Sequence, residues 1–175
     1  KHENGVTCRM AISQITPTLY LSGVDAAHTP AAIRSRRITL IVNATVEHEC
    51  PEYSGVECLW VPVTDQPHAQ IGQHFEEVAD RISANRTGST LVHCSAGRSR
   101  SPALVMAYLM KFHGVSLLDA HSWVLGVRPF VRPNAGFWRQ LLEYERKLYG
   151  KNTVRMVATS AEIVHQEETP SSLFA

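Results

Sequence analysis

The residue types best suited to chemistry lie in one run, His93-Cys94-Ser95-Ala96-Gly97-Arg98-Ser99-Arg100-Ser101. This run places a cysteine and an arginine one short loop apart. A free thiol is mostly protonated at neutral pH. The N-terminus of a following helix and the charge of Arg100 both favour an anion at the cysteine. We therefore expect Cys94 to act as a thiolate nucleophile.

The same loop is suited to bind a phosphate dianion. Successive backbone N–H groups can form an anion cradle, and small residues let the backbone approach its ligand closely. The Arg100 guanidinium can hold two phosphate oxygens at once. Ser101 is placed to donate a hydrogen bond to the sulfur when a thiophosphate intermediate is hydrolysed. The predicted phosphate-binding residues are contiguous: Ser95, Ala96, Gly97, Arg98, Ser99 and Arg100.

A general acid is also needed, to protonate the leaving alkoxide or phenoxide. Asp65 is the best candidate, because it follows a predicted strand in a loop bracketed by Pro62 and Pro67. Such a loop lies at the surface and can hold a side chain over a pocket. Protonated, Asp65 would serve as the acid; ionised, it would activate the attacking water.

Hydrophobic periodicity predicts the elements that position these residues. Short or continuous apolar runs indicate strands at Ile12–Ile15, Leu19–Leu21, Ile38–Val42, Cys58–Val61 and Thr90–His93. Helical spacing and capping residues indicate helices at Asp25–Arg36, Ile71–Ala84, Pro102–Phe112, Ser116–Val127 and Asn134–Leu148. Ser116 and Asn134 are predicted N-caps. Mixed strands and helices of this order predict an α/β domain with helices against a sheet.

One compact domain is expected for 175 residues. We predict an N-terminal extension at 1–10, a catalytic domain at 11–157 and a flexible C-terminal tail at 158–175, where Glu, Ser and Thr show no clear period. The first residue is not methionine, so we expect either a trimmed N-terminus or an internal start at Met10.

Composition excludes several classes of protein. A net charge of +1 argues against nucleic-acid binding through overall charge. No apolar run reaches the ~18 residues of a membrane span, and no secretory signal is visible. Neither cysteines nor histidines fall at zinc-ligand spacing. Cys8, Cys50 and Cys58 are interpreted as ordinary thiols in a reducing, intracellular compartment.

These features resemble the cysteine-dependent protein phosphatases, and specifically the small atypical dual-specificity phosphatases. The run from His93 to Ser101 fits their signature H-C-x-x-G-x-x-R-S. Ala107–Met110 fits the run in their next helix, and Arg132–Phe137 fits the turn before their last helix. The resemblance covers roughly 12–157. The segment Gly150–Val154 is most similar to the subgroup that includes MAP kinase phosphatase 6.

The resemblance implies a mixed central β-sheet with helices on both faces. It also implies Cys94 as nucleophile, Arg100 as phosphate ligand, Asp65 as acid and Ser101 as an aid to the second step. Asn134 corresponds to an asparagine that braces the catalytic loops. His93 is expected to have a structural hydrogen-bonding role near the sulfur. The resemblance also implies that no metal and no other cofactor is required.

The resemblance further implies a phosphorylated protein as substrate, with a MAP kinase or a component of its pathway as a partner in the cytoplasm and nucleus. In 175 residues there is no room for an N-terminal rhodanese-like module with a kinase-docking motif. Any kinase would therefore be recruited through the catalytic domain. Arg98 departs from the small or apolar residue usual in this subgroup, and it allows an alternative, a phosphoinositide or an RNA 5′ phosphate as substrate.

Simpler interpretations stay open beside these. Ser101 could cap the helix as well as assist catalysis, and Asn134 could be a cap alone. Arg98 could be a solvated charge at the rim of the loop, and Asp65 a solvated turn residue. A phosphate-binding scaffold without turnover is disfavoured because the cysteine, arginine and acid are all present. A rhodanese-type sulfur carrier is disfavoured by Asp65 and Ser101.

Overall fold

The computed structural model describes residues 10–157. Five strands form one sheet in the spatial order β1-β2-β5-β3-β4. They are β1 (Ile12–Thr16), β2 (Leu19–Ser22), β3 (Ile38–Asn43), β4 (Glu57–Trp60) and β5 (Ser89–His93). β1 pairs antiparallel with β2, whereas β2, β5, β3 and β4 pair in parallel. The sheet is therefore mixed, as predicted.

Helices cover both faces of this sheet. They are α1 (Val24–Ala27), α2 (Pro30–Ser35), α3 (Phe75–Ala84), α4 (Arg100–His113), α5 (Leu117–Val127) and α6 (Ala135–Tyr149). Ile41 and Leu91 turn to one face and pack with Ile33 of α2. Val42 and Val92, their neighbours along the strands, turn to the other face and join the large core with α3 to α6. This alternation follows from the period of two in a strand, and the prediction of a two-sided sheet is confirmed.

The unit that positions the functional loop is β5 followed by α4. Every residue of β5 is buried, and so is α4 from Arg100 to Met110, apart from the half-buried Tyr108. A helix that is apolar almost all round belongs in the interior of a domain. The loop between them lies at the carboxyl ends of the parallel strands, where open α/β sheets bind their ligands.

Two predicted helices differ in the structure. The stretch predicted as one helix over Asp25–Arg36 is two short helices, because Thr29 takes an extended conformation before Pro30. The stretch predicted at Ile71–Ala84 begins as a 3-10 turn, Ile71–His74, and becomes α-helical at Phe75. The predicted extension at 1–10, except residue 10, and the predicted tail at 158–175 lie outside the described residues.

The interpretation of Cys50 and Cys58 as ordinary thiols is wrong. The two residues form a disulfide, with their Cα atoms 6.1 Å apart. The loop between β3 and β4 folds back through a turn at Gly55, whose φ is +74°, and brings Cys50 beside Cys58 in β4. A spacing of eight residues does not reveal this pairing, which depends on where β4 lies. Cysteine usage therefore no longer supports a reducing compartment. Cys8 lies outside the described residues.

Within the part of the chain that the structure describes, the helices are too short or too polar to cross a membrane.

Candidate active site

Cys94 follows β5 directly and its side chain is almost fully buried, at 2% exposure. Its Sγ lies 3.1 Å from the Ser101 Oγ and accepts a hydrogen bond from the backbone N–H of Gly97 at 3.3 Å. When the sulfur is a thiolate, both groups can donate hydrogen bonds to it. Cys94 is the free cysteine of residues 10–157.

Gly97 is needed at its position for two reasons. Its φ of +69° is strained for any residue with a side chain. A Cβ at this position would also come within 2.5 Å of the Arg128 Nη2 and within 2.8 Å of the Ser22 carbonyl oxygen. The glycine therefore lets the loop curl over the sulfur.

The loop that carries Cys94, together with Asp65 and Arg132, lines a pocket of about 350 Å³. It is lined by Asp65, Cys94, Ser95, Ala96, Arg98, Ser99, Arg100 and Arg132. Six of the predicted site residues thus meet Asp65 in one cavity, although Asp65 lies 29 positions before Cys94 in the chain. Gly97 and Ser101 contact the sulfur from behind this lining.

The Arg100 side chain is held from one end only. Its Nη1 donates to the Glu47 Oε1 at 2.5 Å and to the Val63 carbonyl oxygen at 3.1 Å. Its Nε is buried and has no hydrogen-bond partner among the described residues. A buried N–H without a partner is costly. In a residue that lines a pocket, this N–H indicates a ligand position, and the Nε–Nη2 edge has the spacing to hold two oxygens of a phosphate.

Asp65 lies in the exposed loop after β4, where its Oδ1 accepts a hydrogen bond from the Asn134 Nδ2 at 2.9 Å. The Asn134 Oδ1 accepts from the Phe137 N–H and caps α6, as predicted. The backbone N–H of Asn134 donates to the Ser99 Oγ at 3.0 Å. Asn134 therefore joins three segments: the loop that carries Asp65, the loop from Cys94 to Ser99 (the cysteine loop) and the last helix.

The loop that carries Asp65 also lies directly against the first turn of α6. A Cβ at Gly136 would lie 1.8 Å from the carbonyl oxygen of Pro67. Only a glycine permits this approach, so the position of the loop carrying Asp65 depends on Gly136 as well as on Asn134.

Ser101 lies in the first turn of α4, is fully buried, and contacts the sulfur. Ser99 is the N-cap residue of α4, but its side chain makes no capping hydrogen bond and instead accepts from Asn134. The capping role left open for Ser101 is therefore wrong, because Ser101 lies inside the helix and Ser99 is at the N-cap position.

His93 is fully buried at the end of β5, where its Nδ1 donates to the Cys94 carbonyl oxygen at 3.1 Å. Burial lowers the pKa of His93 to about 4. The ring is therefore neutral at pH 7, and its contact is with the backbone of the cysteine. This geometry agrees with a structural role.

Four residues that the sequence analysis did not select also contact the loop. Glu47 binds Arg100, and His48 places its Nε2 3.3 Å from the Ser95 Oγ. Arg132 lines the pocket, and its backbone N–H donates to the Arg98 carbonyl oxygen at 2.7 Å. Arg128 is fully buried and binds two carbonyl oxygens of the loop. Glu47 and His48 follow β3, which pairs in parallel with β5. Because the carboxyl ends of adjacent parallel strands lie together, this position could have identified both residues from the sequence.

Residues 10–157 contain no cluster of three or more His, Cys, Asp or Glu side chains that could hold a metal ion.

Comparison with known proteins agrees with this geometry. The family model for the catalytic domain of dual specificity phosphatases matches residues 19–147. Human dual specificity protein phosphatase 14 is 51% identical over 155 residues, which cover 87% of this chain and 78% of the relative. Human dual specificity protein phosphatase 18 is 45% identical over 155 residues, covering 87% and 82%.

Among solved structures, that of human DUSP28 superposes with a TM-score of 0.76 at 37% identity and covers 78% of this chain and 94% of its own. The narrower assignment to the subgroup that includes MAP kinase phosphatase 6 stays a prediction. The family match spans both Asp65 and the cysteine loop. The chain therefore belongs to the dual specificity phosphatases and is a protein phosphatase that acts on tyrosine phosphates and on serine or threonine phosphates.

Proposed function

We propose that Cys94, Arg100, Asp65 and Ser101 hydrolyse phosphate monoesters of proteins in two steps. In the first step the Cys94 thiolate attacks phosphorus, an S–P bond forms, and the P–O bond to the substrate side chain breaks. Asp65 gives its proton to the leaving oxygen. The product is a cysteinyl-phosphate and a free tyrosine, serine or threonine hydroxyl.

In the second step water attacks the phosphorus while Asp65, now ionised, takes a proton from it. An O–P bond forms and the S–P bond breaks, so inorganic phosphate is released and the thiolate is restored. The Ser101 hydroxyl, 3.1 Å from the sulfur, donates a hydrogen bond that stabilises the departing thiolate. This hydrogen bond strengthens as negative charge returns to the sulfur. It therefore stabilises the transition state of the second step more than the cysteinyl-phosphate that precedes it.

The observation that carries this proposal is the arrangement of Arg100. One end of the guanidinium is fixed by Glu47 and the Val63 carbonyl oxygen, and its buried Nε has no partner among the described residues. An arginine held for structural reasons alone would have this N–H satisfied. Oxygens of the transferring phosphoryl group would accept the hydrogen bond from Nε, and the positive charge of Arg100 would stabilise the negative charge on these oxygens.

The decisive experiment compares the wild type with Cys94→Ser and Asp65→Ala. We expect phosphate release from phosphotyrosine and phosphothreonine peptides by the wild type and none by Cys94→Ser. Asp65→Ala should form the cysteinyl-phosphate slowly and hold its substrate long enough for capture. Substantial release by Cys94→Ser would overturn the mechanism.

The Asp65→Ala protein also tests the finer predictions. The substrate proposed from the family resemblance is a phosphorylated MAP kinase or a protein of its pathway, inside the cell in the cytoplasm or nucleus. Residues 11–157 are proposed as the sufficient catalytic domain, with no metal and no other cofactor. Capture of only extracellular proteins from a whole-tissue phosphoprotein mixture would contradict the proposed location.

A second candidate is a phosphate ester that is not a protein. It is favoured by Arg98 and Arg132, which both line the pocket beside Arg100 and add charge at its rim. A phosphoinositide or an RNA 5′ phosphate carries further phosphates that such a rim would attract. A panel of phosphopeptides, phosphoinositides and 5′-triphosphorylated RNA compared by kcat/KM separates the two candidates, and phosphopeptides are expected to be preferred.

A further inference from the structure

Arg128 follows the last turn of α5 and is fully buried between the cysteine loop and β1. Its guanidinium donates hydrogen bonds to the cysteine loop on one side and to Ala11 and Ser13 on the other. Nε donates to the Gly97 carbonyl oxygen at 2.7 Å and Nη2 to the Ala96 carbonyl oxygen at 3.1 Å. Nη1 donates to the Ala11 carbonyl oxygen at 2.9 Å and to the Ser13 Oγ at 3.1 Å.

The contacts to the loop determine which way two peptide units point. In a trans peptide the C=O and the N–H lie on opposite sides. The carbonyl of Ala96 is turned to Arg128, and the N–H of the same peptide unit, that of Gly97, points to the Cys94 Sγ at 3.3 Å. The carbonyl of Gly97 is also turned to Arg128, so the N–H of Arg98 is directed away from it.

The contacts also require a guanidinium. Two adjacent carbonyl oxygens are bound by Nε and Nη2, the two donors of one edge of a rigid planar fork, whereas a lysine offers a single point charge. The Phe130 ring lies 4.5 Å from the Arg128 guanidinium carbon and helps to fix the plane of the fork. A positive charge behind the carbonyl oxygens further polarises the peptide units whose N–H groups face the anion.

We propose that Arg128 is a positioning residue, which acts through the Ala96–Gly97 and Gly97–Arg98 peptide units to aim their N–H groups at the sulfur and the phosphate. It is not among the residues that line the pocket, so it is expected to act on the substrate only through the loop. This inference rests on the proposed function of the loop as an oxyanion site, and it assigns the orientation of that site to a residue 28 positions beyond Arg100 in the chain.

The test compares Arg128→Lys with Ser13→Ala, which removes one contact at the far side of the guanidinium and leaves both loop contacts in place. Two readouts report the loop and do not require turnover. One is the Kd for tungstate, an oxyanion of phosphate-like shape, and the other is the pH midpoint for alkylation of Cys94 by iodoacetamide. Arg128→Lys should weaken tungstate binding by about tenfold and raise the midpoint by about one pH unit. Ser13→Ala should leave both unchanged.

Phe130→Leu is the second variant. It loosens the guanidinium plane but leaves the hydrogen bonds of Arg128 to the buried carbonyl oxygens in place, and so avoids the unfolding that Arg128→Lys risks. It should weaken tungstate binding by about threefold. Wild-type tungstate affinity and an unshifted midpoint in a folded Arg128→Lys or in Phe130→Leu would overturn the proposal. Cys94→Ser, assayed in parallel for phosphate release, tests the proposed function separately. Turnover by that variant would refute the mechanism, but the comparison of tungstate affinities would still report on Arg128.

Discussion

The side-chain amide of Asn134 donates to the Asp65 carboxylate at 2.9 Å, although 69 positions separate the two residues. The same side chain caps α6 through its oxygen. One asparagine therefore sets the position of the proposed acid relative to a rigid helix. This arrangement agrees with the bracing role implied by the family resemblance and goes beyond capping alone.

Asn134→Ser separates the two roles of this residue. Serine caps a helix about as well as asparagine, so thermal stability should change little. Its side chain is too short to reach Asp65, so the acid is no longer held. We expect kcat to fall about tenfold on phosphothreonine peptides and less on aryl phosphates, because a poor leaving group depends more on the acid. Steady-state kinetics on both substrates measure the difference.

The control for this prediction is the same substitution in an Asp65→Asn background. If Asn134 acts through Asp65, Asn134→Ser has no further effect once the acid is absent, because the two effects are not additive. An equal loss in both backgrounds would show that Asn134 acts on the pocket by another route.

Local sequence patterns are sufficient to predict most of the helices and strands of the fold. The capping side chains of Ser116 and Asn134, the buried runs of β3 and β5 and the apolar helix α4 are all local signals, and all five strands were predicted within two residues of their ends. The single helix predicted over Asp25–Arg36 was wrong because the residue before a proline avoids the helical region.

The site was less predictable because its supporting contacts are made across the fold. Cys94, Arg100 and Ser101 are adjacent in the chain, so their spacing alone carried the prediction. Glu47 and Arg128 reach the loop only after β3, β5 and α5 are assembled. The Cys50–Cys58 bond likewise depends on the path of one loop.

Glu47 is expected to serve as the anchor of Arg100. Its side chain is 45% exposed, so its charge is well screened and its main effect is to position the guanidinium. Glu47→Ala should raise the KM for an aryl phosphate by about tenfold, because Arg100 keeps only the Val63 carbonyl oxygen as an anchor. Glu47→Gln retains an acceptor and should raise KM less than about threefold. A lower KM in Glu47→Ala would mean that Glu47 acts chiefly by competing with phosphate.

The Cys50–Cys58 disulfide should stabilise the loop that carries Glu47. It closes a short loop, and the loss of chain entropy in the unfolded state predicts about 2.5 kcal/mol of stability. Urea unfolding of a Cys94→Ser protein, with and without reductant, measures this difference without interference from the reactive thiol. The Cys50→Ser/Cys58→Ser variant in the same background is the control and should show no response to reductant. Equal stability of the oxidised and reduced Cys94→Ser protein would contradict the expectation.

His93 makes the stability of the fold depend on pH. Burial lowers its pKa from 6.5 to about 4, and its Nε2 is buried with no hydrogen-bond partner among the described residues. The folded protein therefore holds the ring neutral, while the unfolded chain protonates it below pH 6.5. The unfolded state binds more protons between these two values, so the free energy of unfolding falls as the pH falls.

The contribution of His93 is fully present above pH 6.5, and at most about 3 kcal/mol is lost by pH 4. Urea unfolding should show a loss of about 2 kcal/mol between pH 7 and pH 5. His93→Asn keeps a donor for the Cys94 carbonyl oxygen but does not titrate, so its stability should be nearly constant over this range. Glu76, whose pKa is lowered mainly by its hydrogen bond to Lys111, affects stability only below this window. Parallel slopes for the wild type and His93→Asn would assign the pH dependence to another group.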